Sequence, residues 1–213
     1  SKAFDTIDHG VLLAILKSCG LCIERVALLK SYLSGRTQAV KLGCKLSNKR
    51  VVECGVPQGS ILGPLLFIVY TSQFLNFVEH SSMHMYADDT QLTRSFHVSL
   101  WEQATNEVNY DLSQLNNISA EHCLNLNPNK SIALVFAKRT DKMFLESNMN
   151  LNINGQPIKI TDKAENLGLI VDTNLRFREH VARNIQRAYK RCICRATCSL
   201  MLSLVGRISA AGA

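Results

Sequence analysis

The chain has 213 residues, with 24 Lys+Arg against 17 Asp+Glu, a formal charge of +7 and a pI near 9.1. Hydrophobic residues make up 46%, enough for a sizeable core, so wholesale disorder is excluded and one domain, or one and a piece of another, is expected. The longest strongly apolar stretch, Ile61–Tyr70, is broken by Gly63 and Pro64 and is far shorter than the roughly 20 residues of a membrane-spanning helix.

Charge is segregated along the chain. Residues 1–50 carry 9 basic and 3 acidic side chains and residues 151–213 carry 10 and 4, whereas 51–100 carry 1 and 4 and 101–150 carry 4 and 6. Two basic flanks around an acidic middle suit a polyanion held beside a carboxylate cluster, and a solvated surface with accidental asymmetry fits the same numbers. Eight Cys are too few for a disulfide scaffold. Cys19-Gly-Leu-Cys22 has CxxC spacing and Cys192, Cys194 and Cys198 cluster, but no second pair completes a zinc set. Reduced, packed thiols of an intracellular protein are the expectation, and the sequons at Asn117 and Asn129 then carry no weight. The chain opens on Ser1 rather than Met and reads as a fragment.

In chain order, apolar residues recur at helical spacing from Val11 to Leu33, with Gly20 dividing the stretch into two helices and Gly35 ending the second. Arg36–Leu42 and Arg50–Cys54 read as strands joined by a polar turn. Gly55–Gly59 is a breaker-rich loop, and Ser60 caps an apolar helix reaching about Asn76, with Pro64 tolerated in or beside its first turn. A strand ending at Tyr86, a tight Asp-Asp turn and a return strand through Thr90–Thr93 follow. Trp101, Ala104, Val108, Leu112, Leu115 and Ile118 mark an amphipathic helix. Ile132–Phe136 reads as a buried strand, Asn150–Ile160 as a hairpin and Leu167–Val171 as a strand. A helix from about Arg176 places Val181, Ile185, Ala188 and Cys192 on one face. Strands and helices mix without βαβ alternation, so the class is α+β.

Three local signals could carry chemistry. Met85-Tyr86-Ala87-Asp88-Asp89 sets two adjacent carboxylates on a hairpin, an unfavourable pairing unless a cation neutralises it; a hard divalent ion wants such oxygens. An exposed Asp-Asp turn is the plain alternative. Gly55-Val-Pro-Gln-Gly-Ser60 lets backbone approach a ligand closely and offers Gln58 as donor and acceptor, although it lacks the lysine of a Walker loop. Leu126-Asn-Pro-Asn-Lys130 is a turn that delivers one Lys ahead of an apolar run.

In order, the chain shows Ser1-Lys-Ala-Phe-Asp5, Gly55-Val-Pro-Gln-Gly-Ser60-Ile-Leu-Gly-Pro64, Tyr86-Ala-Asp-Asp89, Leu126-Asn-Pro-Asn-Lys130, and Leu167-Gly168 with Asp172, Leu175 and His180. This series resembles the reverse transcriptases of non-LTR (LINE-type, jockey-like) retrotransposons over essentially the whole chain. The resemblance implies a palm over residues 1–165, an antiparallel sheet backed by helices, and a primer-grip strand with the start of a helical thumb over 166–213. It implies an RNA-directed DNA polymerase that takes an RNA template, a DNA primer and deoxynucleoside triphosphates, and acts in the nucleus and cytoplasm. Two Mg²⁺ ions, or Mn²⁺, are the implied cofactors.

By the same resemblance Asp88 and Asp89 match the catalytic, metal-holding pair. Phe4 matches the aromatic that excludes a ribonucleotide 2′-OH, Gln58 and Gly59 the segment at the template base and incoming nucleotide, and Lys130 the general acid for the leaving pyrophosphate. Leu167-Gly168 falls at the primer grip, with Asn166 where the family usually has an aromatic. Arg183, Arg187, Lys190, Arg191 and Arg195 on the tail become candidate contacts to a nucleic-acid backbone. The family's third catalytic carboxylate lies two residues before the position of Ser1, and Asp5 does not replace it; this chain alone is therefore expected to be inactive. An intron maturase-type reverse transcriptase, and a decayed or co-opted nucleic-acid-binding relic, are the other readings.

Overall fold

A computed structural model describes residues 3–190. The chain divides into two compact units, residues 1–131 with 143–159, and residues 132–142 with 160–213.

In the first unit, Asp8 starts helix α1 (His9–Ser18) by accepting a hydrogen bond from Val11 N at 2.8 Å. Helix α1 buries Leu12, Ile15 and Leu16, and Gly20, at φ +87°, makes the turn into α2 (Ile23–Leu33). Helix α2 buries only Leu33, leaving Ile23 and Leu28 exposed. The predicted strand pair is shorter than its sequence pattern. Strands β1 (Thr37–Gln38) and β4 (Arg50–Val51) pair, and a second hairpin joins β2 (Lys41–Leu42), at the end of the first predicted strand, with β3 (Lys45–Leu46), inside what reads as a polar turn.

Helix α3 (Leu62–Thr71) begins with the Ser60 hydroxyl accepting from Gly63 N at 3.0 Å, and continues as 3-10 helix over Ser72–Phe77, close to the predicted end. Strands β5 (Ser82–Tyr86) and β6 (Asp89–Thr93) form a hairpin, followed by helix α4 (Trp101–Glu121), the amphipathic helix of the sequence reading. Two apolar clusters hold these elements. Ile7, Leu12, Ile15, Leu16, Leu33, Val56, Leu66, Phe67 and Tyr70 form one. Phe74, Leu115 and Ile118 form the other, with Met83, Met85, Leu92 and Leu126 packed against them; Leu124 touches both. Burying each large apolar side chain contributes about 1.5–3 kcal/mol, so these clusters rather than helix propensity set the arrangement.

Later elements depart from the pattern reading. Only Ile132–Ala133 (β7) of the predicted buried strand is extended, and Ile132 and Phe136 are exposed. A continuous apolar run marks a buried strand only where neighbours cover both faces, and here they do not. Helix α5 (Arg139–Asn148) was not foreseen: it is polar and buries Leu145 alone, too little to make a periodic signal. The predicted hairpin forms from β8 (Asn152–Ile153) and β9 (Gln156–Pro157) around Asn154-Gly155, both at positive φ, the conformation that two-residue hairpin turns favour. Strand β10 (Lys159–Ile160) follows.

In the second unit, β11 (Lys163–Asn166) pairs with β12 (Leu169–Asp172), so Leu167-Gly168 is the turn and not the start of a strand. The expected domain boundary after residue 165 cuts this ladder. Residues 178–190 form helix α6, on which Val181 and Ile185, read as part of one apolar face, are exposed.

Mixed helices and small sheets agree with the α+β class; among the described residues the strands form six two-stranded ladders. Several strands are two residues long, too short to carry a shared sheet. Cys19, Cys22, Cys44, Cys54 and Cys123 are free as expected, yet exposed rather than packed; Cys192, Cys194 and Cys198 lie outside the described residues. No described helix is long and apolar enough to cross a membrane.

Candidate active site

The β5–β6 hairpin presents the two carboxylates. Tyr86 pairs with Asp89, so the two-residue link is Ala87-Asp88, and Asp89 already belongs to the return strand rather than to the turn. Ala87 sits at φ +51°, a left-handed conformation costing an L-residue about 1–2 kcal/mol, held here by the ladder on either side. Met83 and Met85 pack on the Phe74 cluster, which leaves the alternate positions, His84 and Tyr86, exposed. Asp88 and Asp89 are exposed, and neither side chain has a hydrogen bond or ion pair among the described residues. Two adjacent carboxylates with no protein cation, on a rigid ladder, suit a hard divalent ion that keeps open positions. Among the described residues no third His, Cys, Asp or Glu converges with them.

A second group joins residues 3–9 to the Gly55 loop. Val56 N donates to Phe4 O at 2.9 Å, Gly55 N to Ile7 O at 2.8 Å, and the His9 ring nitrogen Nε2 bonds Gly55 O at 2.7 Å. Gly55 is at φ +86°, and a Cβ there would stand 2.8 Å from Asp5 Cα and 2.9 Å from the carbonyl oxygens of Phe4 and Asp5. Only glycine permits this approach. Phe4 stacks on Phe67 with ring centroids 4.4 Å apart, and Gln58 Nε2 donates to Asp5 Oδ1 at 2.8 Å. Phe4, Gln58 and Gly59, far apart in sequence, thus meet on one framework, with Asp5 orienting the Gln58 amide. Gln58 and Gly59 are exposed.

Asn127 builds the lysine turn. Its carbonyl accepts from Lys130 N and Ser131 N at 3.1 Å each, and its Oδ1 accepts from Asn129 N at 3.1 Å. Lys130 is exposed at the end of that turn, while Leu126 anchors it in the same cluster that holds the carboxylate hairpin.

In the second unit, Leu167 and Gly168 are at φ +47° and +83°, and Leu167 is exposed. Arg183 holds this turn from α6. Its guanidinium bonds both oxygens of Glu165, at 2.5 and 2.8 Å, and Gly168 O at 2.9 Å. Arg183 therefore braces the hairpin, whereas Arg187 and Lys190 are exposed. The bond from Arg183, and its charge, hold the Glu165 carboxyl below its ordinary range. Arg191 and Arg195 lie outside the described residues.

Two supports escaped the sequence reading, and a third, Asp172, stands in the motif series without a role assigned to it. Asp111 is fully buried and accepts from Glu79 N, His80 N and Ser81 N at 2.8–3.3 Å, fixing the entry to β5. Its signal was a lone Asp on the apolar stripe of α4, between Val108 and Leu115. The Tyr70 hydroxyl donates to His122 O at 2.7 Å and accepts from Asp8 N at 3.3 Å, joining α3 to the end of α4 and the start of α1; burial pushes its phenol up. Asp172 accepts from Asn174 N, Arg176 N and Phe177 N, and these bonds, Arg176 N foremost, draw its carboxyl down.

Comparison with known proteins shows the family of the chain. Residues 1–171 match the model of the reverse transcriptase (RNA-dependent DNA polymerase) family. The chain is 29% identical over 201 residues to the probable RNA-directed DNA polymerase from transposon BS of Drosophila melanogaster, covering 89% of this chain and 21% of that protein. It is 29% identical over 198 residues to the RNA-directed DNA polymerase from mobile element jockey of Drosophila funebris, covering 89% and 20%. The probable RNA-directed DNA polymerase from transposon X-element of Drosophila melanogaster matches at 28% over 188 residues, covering 84% and 19%. The chain thus spans about a fifth of the length of the curated relatives it matches. With motifs in family order and a family match across most of its length, this chain belongs to the reverse transcriptase family and is similar to the jockey-like polymerases of mobile elements.

Proposed function

We propose that the chain carries part of the nucleotidyl-transfer site of an RNA-directed DNA polymerase, with the palm within residues 1–165 and the primer grip and start of the thumb within 166–213. The observation that carries this reading is the pair Asp88 and Asp89, uncompensated by any described protein cation and fixed at the end of a packed hairpin. Asp88 and Asp89 would hold Mg²⁺, or Mn²⁺, together with a third carboxylate from the strand leading into residue 1. The chemistry such ions would supply there is activation of a primer 3′-hydroxyl and stabilisation of charge on the transferring phosphoryl group.

The remaining roles belong to the chain's own side chains. Phe4, braced on Phe67, closes the floor of the sugar pocket against a 2′-hydroxyl. Gln58, turned by Asp5, and Gly59 meet the template base and the incoming deoxynucleoside triphosphate. Lys130 donates a proton to the leaving pyrophosphate. Leu167-Gly168 grips the DNA primer end, with Arg183 stiffening the turn, and Arg187 and Lys190 run along phosphates, as Arg191 and Arg195 do in the sequence reading. Such an enzyme works on an RNA template in the nucleus and cytoplasm.

The test is Mg²⁺-dependent primer extension on an RNA template, using this chain extended upstream through the third carboxylate. Asp88→Asn should lower kcat about 100-fold or more, the scale of losing one electrostatic stabiliser of the transition state. Extension at the unsubstituted rate by Asp88→Asn would remove the assignment.

A further inference from the structure

The basic excess at the N-terminal end plays no part in the site described above. From residue 25 to residue 52 the sequence contains seven Lys and Arg and no Asp or Glu. This one segment matches the +7 of the whole chain. Arg25 and Lys30 are exposed on α2. Arg36 lies over the Tyr32 ring at 4.4 Å and donates through Nε to Tyr32 O at 2.6 Å. Beyond it, every residue from 37 to 51 is exposed, so the doubled β-ribbon β1–β4 stands out from the core. Lys41, Lys45, Lys49 and Arg50 line it, and none has an ion pair among the described residues.

We propose that this ribbon is a second polyanion-binding surface, distinct from the Asp88–Asp89 hairpin and from the tail, whose ligand is the sugar–phosphate backbone of RNA. Unpaired cations on a projecting ribbon can follow a phosphate track and gain by releasing counterions. Base reading has no platform here. Tyr32 is the sole aromatic of the segment and Arg36 covers it, so stacking contributes nothing and recognition is sequence-independent. A bilayer fits poorly. Lys41 lies opposite Leu46 and Leu42 opposite Lys45, so each face of the tip carries one Leu and one Lys, and no apolar face exists to insert. An RNA ligand accords with a family whose description is RNA-dependent DNA polymerase.

The test needs no catalysis and so succeeds or fails separately from the polymerase reading. The whole chain binds a fluorescently labelled, unstructured RNA, with affinity followed by anisotropy from 50 to 200 mM salt. The ribbon variant is Lys41→Gln, Lys45→Gln, Lys49→Gln and Arg50→Gln combined. Its control is Lys17→Gln, Lys138→Gln, Arg139→Gln and Lys159→Gln, which removes the same four charges from exposed positions elsewhere. Each lost phosphate contact lowers the slope of log affinity against log salt by about 0.7, so the ribbon variant should lose about 2–3 units of slope. Across this salt range that is about a 50-fold smaller drop in affinity than the unsubstituted chain shows. Circular dichroism of both variants should match the unsubstituted chain, because the substituted side chains are exposed. An unchanged slope in the ribbon variant, an equal loss in the control, or substitution-sensitive binding to vesicles rich in anionic lipid without any effect on RNA would each overturn the proposal.

Discussion

Replacing Gly55 with Ala perturbs the joint between residues 3–9 and the Gln58 loop at its tightest point. The new Cβ would meet three backbone atoms, Asp5 Cα at 2.8 Å and the Asp5 and Phe4 carbonyl oxygens at 2.9 Å, and no flexible side chain is available to yield. Overpacking of this kind costs about 1–3 kcal/mol. The φ of +86° adds about 1–2 kcal/mol for an L-residue, and the stiffer unfolded chain returns about 0.4–1 kcal/mol. The net is a destabilisation of about 2–4 kcal/mol. Gly59→Ala is the internal control: at φ +78° it has the same conformational handicap, but no atom lies within 4 Å of its Cβ, so it should cost about 1 kcal/mol or less. Urea unfolding followed by the fluorescence of Trp101, which lies in the same unit, measures both. Equal losses at the two glycines would falsify the claim that close backbone approach, rather than backbone conformation, holds this joint.

Asp111→Ala should destabilise the first unit by about 3–5 kcal/mol, because three backbone N–H groups lose a buried acceptor, and hydrogen exchange should accelerate first across Glu79–Tyr86. Protection there equal to that of the unsubstituted chain would show the carboxylate to be dispensable. Leu167→Asn should stabilise the β11–β12 hairpin by about 1 kcal/mol, since Asn tolerates the left-handed turn position; if Leu167 also grips a primer, the same change slows extension. The Asp172 carboxyl titrates below its ordinary range, so its stabilisation of the 172–177 loop is full above about pH 4, the unfolded range, and is lost as pH falls through the lower folded value. Amide protection of Arg176 and Phe177 that does not fall over that acid range would contradict it.

The motifs were legible because their chemistry is local. Gly55-Val-Pro-Gln-Gly and Tyr86-Ala-Asp-Asp are contiguous, and the 3.6-residue periods of α1 and α4 declare themselves in single windows. Less regular segments misled. Ile132–Phe136 reads as a buried strand by composition alone, yet burial depends on which neighbours arrive. Helix α5 went unseen because one buried leucine makes no period.

By itself, then, the sequence determined the family, the α+β class, and which residues are candidates for metal, nucleotide and primer. Tertiary structure alone decided which of them are held and by what. It set the Asp5 carboxylate on the Gln58 amide across 53 positions, buried Asp111 at the entry to the carboxylate hairpin, and placed Arg183, a candidate phosphate contact, as a brace of the Leu167-Gly168 turn. Hydrogen bonds and close backbone approaches of this kind join residues that no sequence window contains. Their partners are chosen when the apolar clusters bring distant segments within about 3 Å of one another.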